Sequence, residues 1–374
     1  MRILHFFKTA FPETMGGIEQ VIDQLARGSN RLGIETDVLT LTATADTHPL
    51  EVHGYRVHRV RRDFQLASTG FSASALPCFS RLARQADIIH YHFPWPFMDL
   101  LHFAGRVKKP CLLTYHSDII RQRLLLTFYR PLMNRFMLDV DRIVATSPNY
   151  LATSPVLQNY AAKVSVIPIG LDKAGYPMPP PARLRYWREK LGERFFLFVG
   201  VLRYYKGLHI LLEAAKDTGI AVAIVGAGPT ENELKRKAAR LKLRHIHFFG
   251  YLPEEDKAAL LTLCYAVVFP SHLRSEAFGI SLLEGAMHGK PMISCEIGTG
   301  TTYVNIGGET GLVVPPSDPA SLRAAMLHLL NNPAEAAEMG RRAEQRYWNY
   351  FTAEHMANGY AALYRDLFST SLHR

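Results

Sequence analysis

No apolar run in the 374-residue sequence approaches the ~18 residues that a membrane-crossing helix needs. No helix is therefore expected to span a bilayer. The apolar opening Met1–Phe7 is short and soon meets Lys8 and Glu13. It reads as a first β-strand rather than a signal peptide. Cysteine is scarce: Cys78, Cys111, Cys264 and Cys295 are far apart and form no paired-spacing motif. That usage fits a reducing cytoplasm. There is no low-complexity tract and no short-period repeat. There is also no basic tail, although the formal net charge is +10. The basic excess is spread along the chain, so nucleic acid is not expected as a partner. An anionic substrate or a membrane surface is favoured.

What is present is an ordinary globular mixture. Apolar residues make up 48% and charged residues 20%, enough for a substantial core. At ~150 residues per domain, the length points to two domains. Strand-like runs at Ile3–Phe6, Asp37–Leu41, Ile88–Tyr91, Leu112–Tyr115, Ile143–Ala145 and Val164–Ile167 alternate with helical segments, beginning with Ile18–Leu32. Residues 173–184, KAGYPMPPPARL, are too rich in proline for a helix interior or central strand and read as a linker. The alternation then restarts with strands Phe195–Val199, Ala221–Val225, Ile246–Phe248, Val267–Phe269 and Met292–Ser294. Helices are expected at Leu208–Lys216, Thr230–Leu241, Glu254–Leu263 and Ile280–His288. From Pro319 the chain reads as helical, with breaks at Pro333 and near Tyr350. This pattern predicts an α/β protein with two doubly wound parallel sheets. The expected parts are 1–172, the linker 173–184, 185–350, and a terminal helix 351–374. Ligands of such sheets bind outside the carboxyl ends of the strands, and a cleft between two such domains is the default site.

Four motifs fall on strand-to-helix loops. Gly16 and Gly17 in ETMGGIEQ precede a helix, where glycine allows a ligand close to the backbone and the helix start favours an anion. An ordinary tight turn would look the same. Arg203 and Lys206 in GVLRYYKG follow a strand. Two cations at a helix start oppose the helix dipole unless an anion joins them, and a diphosphate suits both. VGAGPTENEL carries Gly226 and Gly228 but has Glu231 where a dinucleotide fingerprint has its third glycine. No ribose-binding acid follows at the required distance, which argues against a nicotinamide enzyme. A sharp turn close to a ligand fits better. In SEAFGISLLEGAMHGKP, Glu276 lies in a loop and Glu284 about a turn and a half into a helix that should begin near Phe278-Gly279. The amides of Phe278, Gly279 and Ile280 then form an anion site. Leu282, Leu283 and Ala286 mark this helix as buried, and a carboxylate there needs a partner.

The ordered set GGIE, YHSD at Tyr115–Asp118, GVLRYYKG, GAGP, FFGYLPEEDK, the two glutamates with seven residues between them, and ETGLVVPPSDP at 309–319 resembles the retaining glycosyltransferases of family 4. The resemblance covers nearly the whole chain. It implies the GT-B fold: two Rossmann-like domains across a cleft, with a C-terminal helix returning to the first. It implies that Glu284 binds the donor ribose and Glu276 the transferred sugar. Arg203 and Lys206 would neutralise the diphosphate, which Gly16 and Gly17 approach from the other domain. His116 would contact the sugar near its reacting carbon, Leu252 the base, and Lys257 the phosphates. The implied reaction is hexose transfer from a nucleotide diphosphate sugar with retained configuration and no resident cofactor or metal. YHSDI and GTGTTYVN resemble bacterial O-antigen mannosyltransferases of lipopolysaccharide synthesis, which makes GDP-mannose the first donor expected. GDP-deoxyhexoses and UDP-sugars are the alternatives. The acceptor expected is a polyprenyl-diphosphate-linked or other glycan.

Three further features bear on metal and membrane binding. Asp139-Val140-Asp141 matches a metal-binding acidic motif of glycosyltransferases of another fold, but it stands at a strand's amino end, where capping is the simpler reading. His90 and His92 share one strand face and with His116 could bind a metal; sugar or acceptor contacts from the strand end are the expected role. Ile119–Leu138 combines Arg121, Arg123, Arg130 and Arg135 with large apolar residues and no acid. It reads either as a core helix or as a surface for anionic lipid on the inner face of the plasma membrane, with Arg56, Arg59, Arg61 and Arg62 adding to the patch. A nucleotide-sugar epimerase, a glycan phosphorylase and a non-enzymatic nucleotide-sugar-binding protein are rival readings of the same architecture.

Overall fold

A computed structural model describes residues 1–44, 47–66, 69–120 and 123–372, with the backbone alone for Arg123 and Leu124. The chain divides into two compact units, Met1–Gly170 with Ala353–Arg374, and Leu171–Thr352.

The first unit carries β1 (Arg2–Phe6), β2 (Glu35–Thr42), β3 (Leu50–Val52), β4 (Tyr55–Arg61), β5 (Phe64–Leu66), β6 (Thr69–Phe71), β7 (Ile88–Phe93), β8 (Cys111–Tyr115), β9 (Arg142–Ala145) and β10 (Val164–Val166). Eight of them form one sheet in the order β10-β9-β8-β7-β1-β2-β4-β3, parallel except for β3 against β4. The pair β5-β6 stands apart as a two-stranded antiparallel sheet. β7 and β8 are buried along their whole length, as expected for parallel strands covered on both faces. β7 nevertheless reads IIHYHF, so two histidines lie in the core.

β4 escaped the sequence reading because its YRVHRVR alternates apolar with basic residues. Side chains two residues apart share a face, so Arg56 lies opposite Arg59 and Arg61. Arg59 is buried, bonded to Glu13 and to the His48 carbonyl. It is therefore removed from the expected lipid patch. Arg56 pairs with Asp37 at 3.2 Å.

The helix Ala353–Ser371 belongs to the first unit. It packs so closely on the helix Gly17–Arg31 that a Cβ on Gly28 would lie 2.5 Å from Ala357 Cβ. The helix Arg123–Asp139 continues across Pro131. It buries Met133, Phe136 and Met137 yet leaves Phe128 84% and Leu138 70% exposed. One face of this helix therefore packs in the core, as the first reading expects, while Phe128 and Leu138 remain on the surface. Arg121 lies outside the described residues, as does the Arg123 side chain.

The second unit has β11 (Phe195–Val199), β12 (Ala221–Val225), β13 (Ile246–Gly250), β14 (Ala266–Phe269), β15 (Met292–Cys295) and β16 (Gly311–Val314), all parallel, in the order β13-β12-β11-β14-β15-β16. Its core is aliphatic and aromatic, built from residues such as Phe196, Phe198, Val222, Ile224 and Val268. Residues 173–184 are not a free linker. Leu171 and Asp172 already belong to this unit, Asp172 caps a short turn at Lys173–Gly175, and Pro181 opens the helix Pro181–Leu191. Proline is tolerated at a helix start because its missing N–H would be unpaired there anyway.

Candidate active site

The second unit gathers its polar residues at the carboxyl ends of β11 and β14. Beyond β11 the chain makes a tight turn, Tyr204–Lys206, and reaches Gly207 at φ +69°. A Cβ at Gly207 would sit 1.9 Å from the Pro270 carbonyl oxygen. Only glycine permits this approach, which draws the β11 and β14 loops together. His272 strengthens the junction by bonding to the backbone of Tyr204 and Tyr205. The consequence is an ion pair: Lys206 Nζ lies 2.5 Å from Glu276 Oε2, with each side chain 12% exposed. Ser271 donates to the same oxygen at 3.2 Å. Arg203 is exposed, and its guanidinium makes no hydrogen bond or ion pair among the described residues. The sequence placed Arg203 and Lys206 together; the structure separates them into a free cation and a paired one.

The helix after Glu276 is Ile280–Met287, capped by Gly279 at φ +94° with no side-chain hydrogen bond to its N-terminus. Leu282 donates to the Gly279 carbonyl at 2.9 Å, while the amides of Ile280 and Ser281 open the helix without a side-chain cap, the arrangement that favours an anion. Phe278 is buried beside it, and Ser281 ties the helix to the end of β11 through the Val199 carbonyl at 2.6 Å. Glu284, 4% exposed, has the partners a buried carboxylate requires. Its Oε1 accepts from the Tyr176 hydroxyl at 2.9 Å and lies 3.1 Å from Lys257 Nζ. Lys257 also meets Glu254 at 2.7 Å. Burial alone would lower the Lys257 ammonium, but Glu284 and Glu254 outweigh it and raise the pKa above the ordinary lysine range. In each glutamate one carboxylate oxygen is engaged, and the other makes no hydrogen bond or ion pair among the described residues. Leu252 is half-buried on the turn after β13. Tyr176 and Ser271 escaped the sequence reading; Tyr176 lies in the supposed linker, and nothing local in either motif marks them.

Gly226 and Gly228 are also required by the packing of the loops around them. A Cβ at Gly226 would lie 2.1 Å from the Gly200 carbonyl oxygen, and one at Gly228 2.4 Å from that of Leu202. The glycines serve the packing of two loops, whatever else approaches them.

In the first unit, Gly16 caps the helix Gly17–Arg31 without a side-chain hydrogen bond. A Cβ there would lie 2.3 Å from Glu19 Oε2, and Glu19 is held by Thr9 and Thr14. Gly17 is exposed at the helix start. His116 follows β8, 6% exposed, with its Nε2 3.0 Å from His92 Nδ1. Burial pushes the His116 imidazole down to about 3, so it is neutral near pH 7.

His90 and His92 are wholly buried, which overturns their expected role as sugar or acceptor contacts from the strand end. His90 bonds to Tyr364 and Thr114 at 2.7 Å each. His5 replaces His116 in the one metal-like cluster among the described residues, His5, His90 and His92, with ligand atoms within 4.8 Å of one another. Asp139 accepts from His102 at 2.6 Å and Asp141 from the Cys111 amide at 2.8 Å, so both acids hold the amino-end corner of the sheet.

Comparison with known proteins follows the same division. Residues 15–174 match the family model Glycosyltransferase Family 4, and residues 185–346 match Glycosyl transferases group 1. D-rhamnosyltransferase WbpZ of Pseudomonas aeruginosa is 64% identical, over 94% of this chain and 93% of that protein. O-antigen chain mannosyltransferase C of Escherichia coli is 48% identical, over 98% of this chain and 99% of the other. Among solved structures, sucrose-phosphate synthase from Thermosynechococcus elongatus superposes with a TM-score of 0.82 at 23% identity, covering 99% of both chains. Anabaena HepE, in complex with UDP and glucose, gives 0.79 at 20% identity, over 98% of this chain and 100% of that one. These structural likenesses establish the GT-B fold. With matched models in both units and relatives at this level over nearly its full length, the chain belongs to glycosyltransferase family 4.

Proposed function

We propose that the chain transfers a manno-configured hexose, D-rhamnose or mannose, from its GDP derivative to a lipid-linked glycan in O-antigen assembly, with retention of configuration and without a metal. The observation that carries this reading is the pairing of Lys206 with Glu276 beside the uncapped start of the helix Ile280–Met287. Breaking the glycosidic bond separates charge between a diphosphate and an oxocarbenium-like sugar. Fixed cations and amides aimed at the diphosphate lower that barrier electrostatically. Arg203, Lys206 and the amides at Phe278, Gly279 and Ile280 supply positive charge of the kind a metal would otherwise bring. Glu276 holds the sugar hydroxyls through its free oxygen, and Glu284 holds the ribose diol. Leu252 lies against the base, and Lys257 fixes Glu284 on the nucleotide side. Gly16 and Gly17 are assigned to the diphosphate, and His116, as a neutral hydrogen-bonding group, to the sugar. The leaving phosphate takes the acceptor's proton on the same face, so no covalent nucleophile is needed.

D-rhamnose is favoured by the 64% relative, and mannose by the 48% relative. The two sugars differ only by the hydroxyl at C6. A pocket shaped for the methyl group rejects the hydroxyl by only about 10²-fold, whereas a pocket that binds the hydroxyl rejects the methyl by about 10⁴-fold. Competition between GDP-D-rhamnose and GDP-mannose therefore decides the donor by the size as well as the sign of the preference. A preference for a UDP-sugar would overturn the reading. Peripheral membrane contact fits the exposed Phe128 and Leu138 with Arg130 on one helix. No described helix is long and apolar enough to cross a membrane.

A further inference from the structure

Three buried imidazoles of the first unit stand in a hydrogen-bonded row that ends on His116. His116 Nε2 lies 3.0 Å from His92 Nδ1, and His92 Nε2 lies 3.0 Å from His5 Nδ1. The rings are nearly parallel, tilted by 19° and 20°. At the far end His5 Nε2 is buried and meets no hydrogen-bond partner among the described residues. His90 cannot serve it, because both its ring nitrogens are held by Tyr364 and Thr114. At the near end His116 Nδ1 has no protein partner among the described residues and is the nitrogen left for a substrate.

Burial holds His5 and His116 at about 3, and His90 and His92 well below the ordinary histidine range, so the row is uncharged near neutrality. A neutral imidazole has one N–H and one lone pair. The row then has two states. In one, His116 donates from Nε2 to His92, His92 donates to His5, and an N–H is stranded on His5 Nε2. In the other, His5 donates from Nδ1 to His92, His92 donates from Nδ1 to His116, and His116 carries its proton on Nδ1. A buried N–H without an acceptor is rarer than a buried acceptor left short of a donor, and the second state leaves only a lone pair stranded.

We propose that His5 and His92 are positioning residues that lock His116 as its Nδ1–H tautomer, so that it meets the substrate as a hydrogen-bond donor. The proposal rests on the reading of His116 as a sugar contact. It adds two residues to that reading, neither of which touches substrate, and fixes the direction of the bond.

The test is nitrogen NMR on the full-length protein with ¹⁵N-labelled histidine rings, the His116 signals being assigned by their loss in His116→Gln. The expected result is a protonated Nδ1 and a bare Nε2. His92→Met offers Nε2 only an acceptor, so His116 should switch to Nε2–H. His92→Gln keeps the row, because His5 donates to its amide oxygen and its amide N–H donates to His116. Turnover should fall by about 10²-fold in His92→Met, as for loss of one oriented donor, and recover most of the way in His92→Gln. A bare Nδ1 in the wild type, or an unchanged tautomer in a folded His92→Met, overturns the proposal. So does a stoichiometric transition metal in the purified protein, since these nitrogens would then be ligands. If His92→Met does not fold, the wild-type tautomer decides alone. The tautomer is read without turnover, so a failure of the assigned transfer reaction is distinguishable from a failure of the lock.

Discussion

Replacing Lys206 with methionine separates the two duties of the Lys206–Glu276 pair. At 2.5 Å and an effective dielectric of about 20, the attraction is ~7 kcal/mol before desolvation is counted. Desolvation offsets most of it, but removing one partner of a buried pair still costs about 3–5 kcal/mol, because the other charge stays buried and unpaired. Ser271 continues to donate to Glu276, so Lys206→Met should lie near the lower end, at about 3 kcal/mol. The double variant Lys206→Met/Glu276→Gln has no stranded charge and should recover most of that stability. Its activity should not recover. The diphosphate has lost a fixed cation, worth about 10²–10³ in rate, and the sugar has lost its carboxylate. Urea midpoints give the stability, and acceptor-dependent release of nucleoside diphosphate gives the activity. The reasoning is refuted if the double variant is no more stable than Lys206→Met, or if either variant transfers sugar within tenfold of the wild type.

Gly207→Ala places a Cβ against the Pro270 carbonyl at positive φ and should destabilise the second unit by about 1–3 kcal/mol, read from its urea midpoint. Tyr176→Phe removes a hydrogen bond to the Glu284 carboxylate, worth about 1.5–3 kcal/mol. It should raise the donor KM by roughly tenfold or more and leave kcat nearly unchanged; an unaltered KM would detach Glu284 from donor binding. Acid should weaken the first unit early. His5 and His116 sit at about 3 in the fold, against an ordinary 6.5, so the unfolded chain takes up protons that the fold refuses. Stability is full above pH 6.5 and falls as pH drops toward 3, by about 2 kcal/mol per group at pH 5. Urea midpoints between pH 7 and 5 check this, and a flat profile would contradict the burial of the row.

The second unit was the more legible half. Its strands β11 and β12 are unbroken apolar runs between turn residues, and both lie where the sequence put them, as does the helix Glu254–Leu263. β4 was hidden because its arginines and histidine find partners such as Asp37 and Glu13 in the folded chain, and no local pattern announces those. β16 is short and opens on a glycine whose Cβ would strike the Met292 carbonyl oxygen, a constraint visible only in three dimensions. Of the site, the residue types and their loops were readable from spacing. The pairing of Lys206 with Glu276, the hold of Tyr176 on Glu284 and the burial of His5 and His92 were not, because each joins residues far apart in sequence.

The most direct test of the account is the anomeric configuration of the product formed with the chelator EDTA present. The purified chain is incubated with GDP-D-rhamnose, and in parallel with GDP-mannose, and a polyprenyl-diphosphate-linked glycan. The account predicts transfer undiminished by the chelator, a product with the donor's α configuration, and losses of about 10² or more in Arg203→Ala, Lys206→Ala and Glu276→Ala. An inverted product, an absolute need for a divalent metal, or near-normal turnover in all three variants would contradict it.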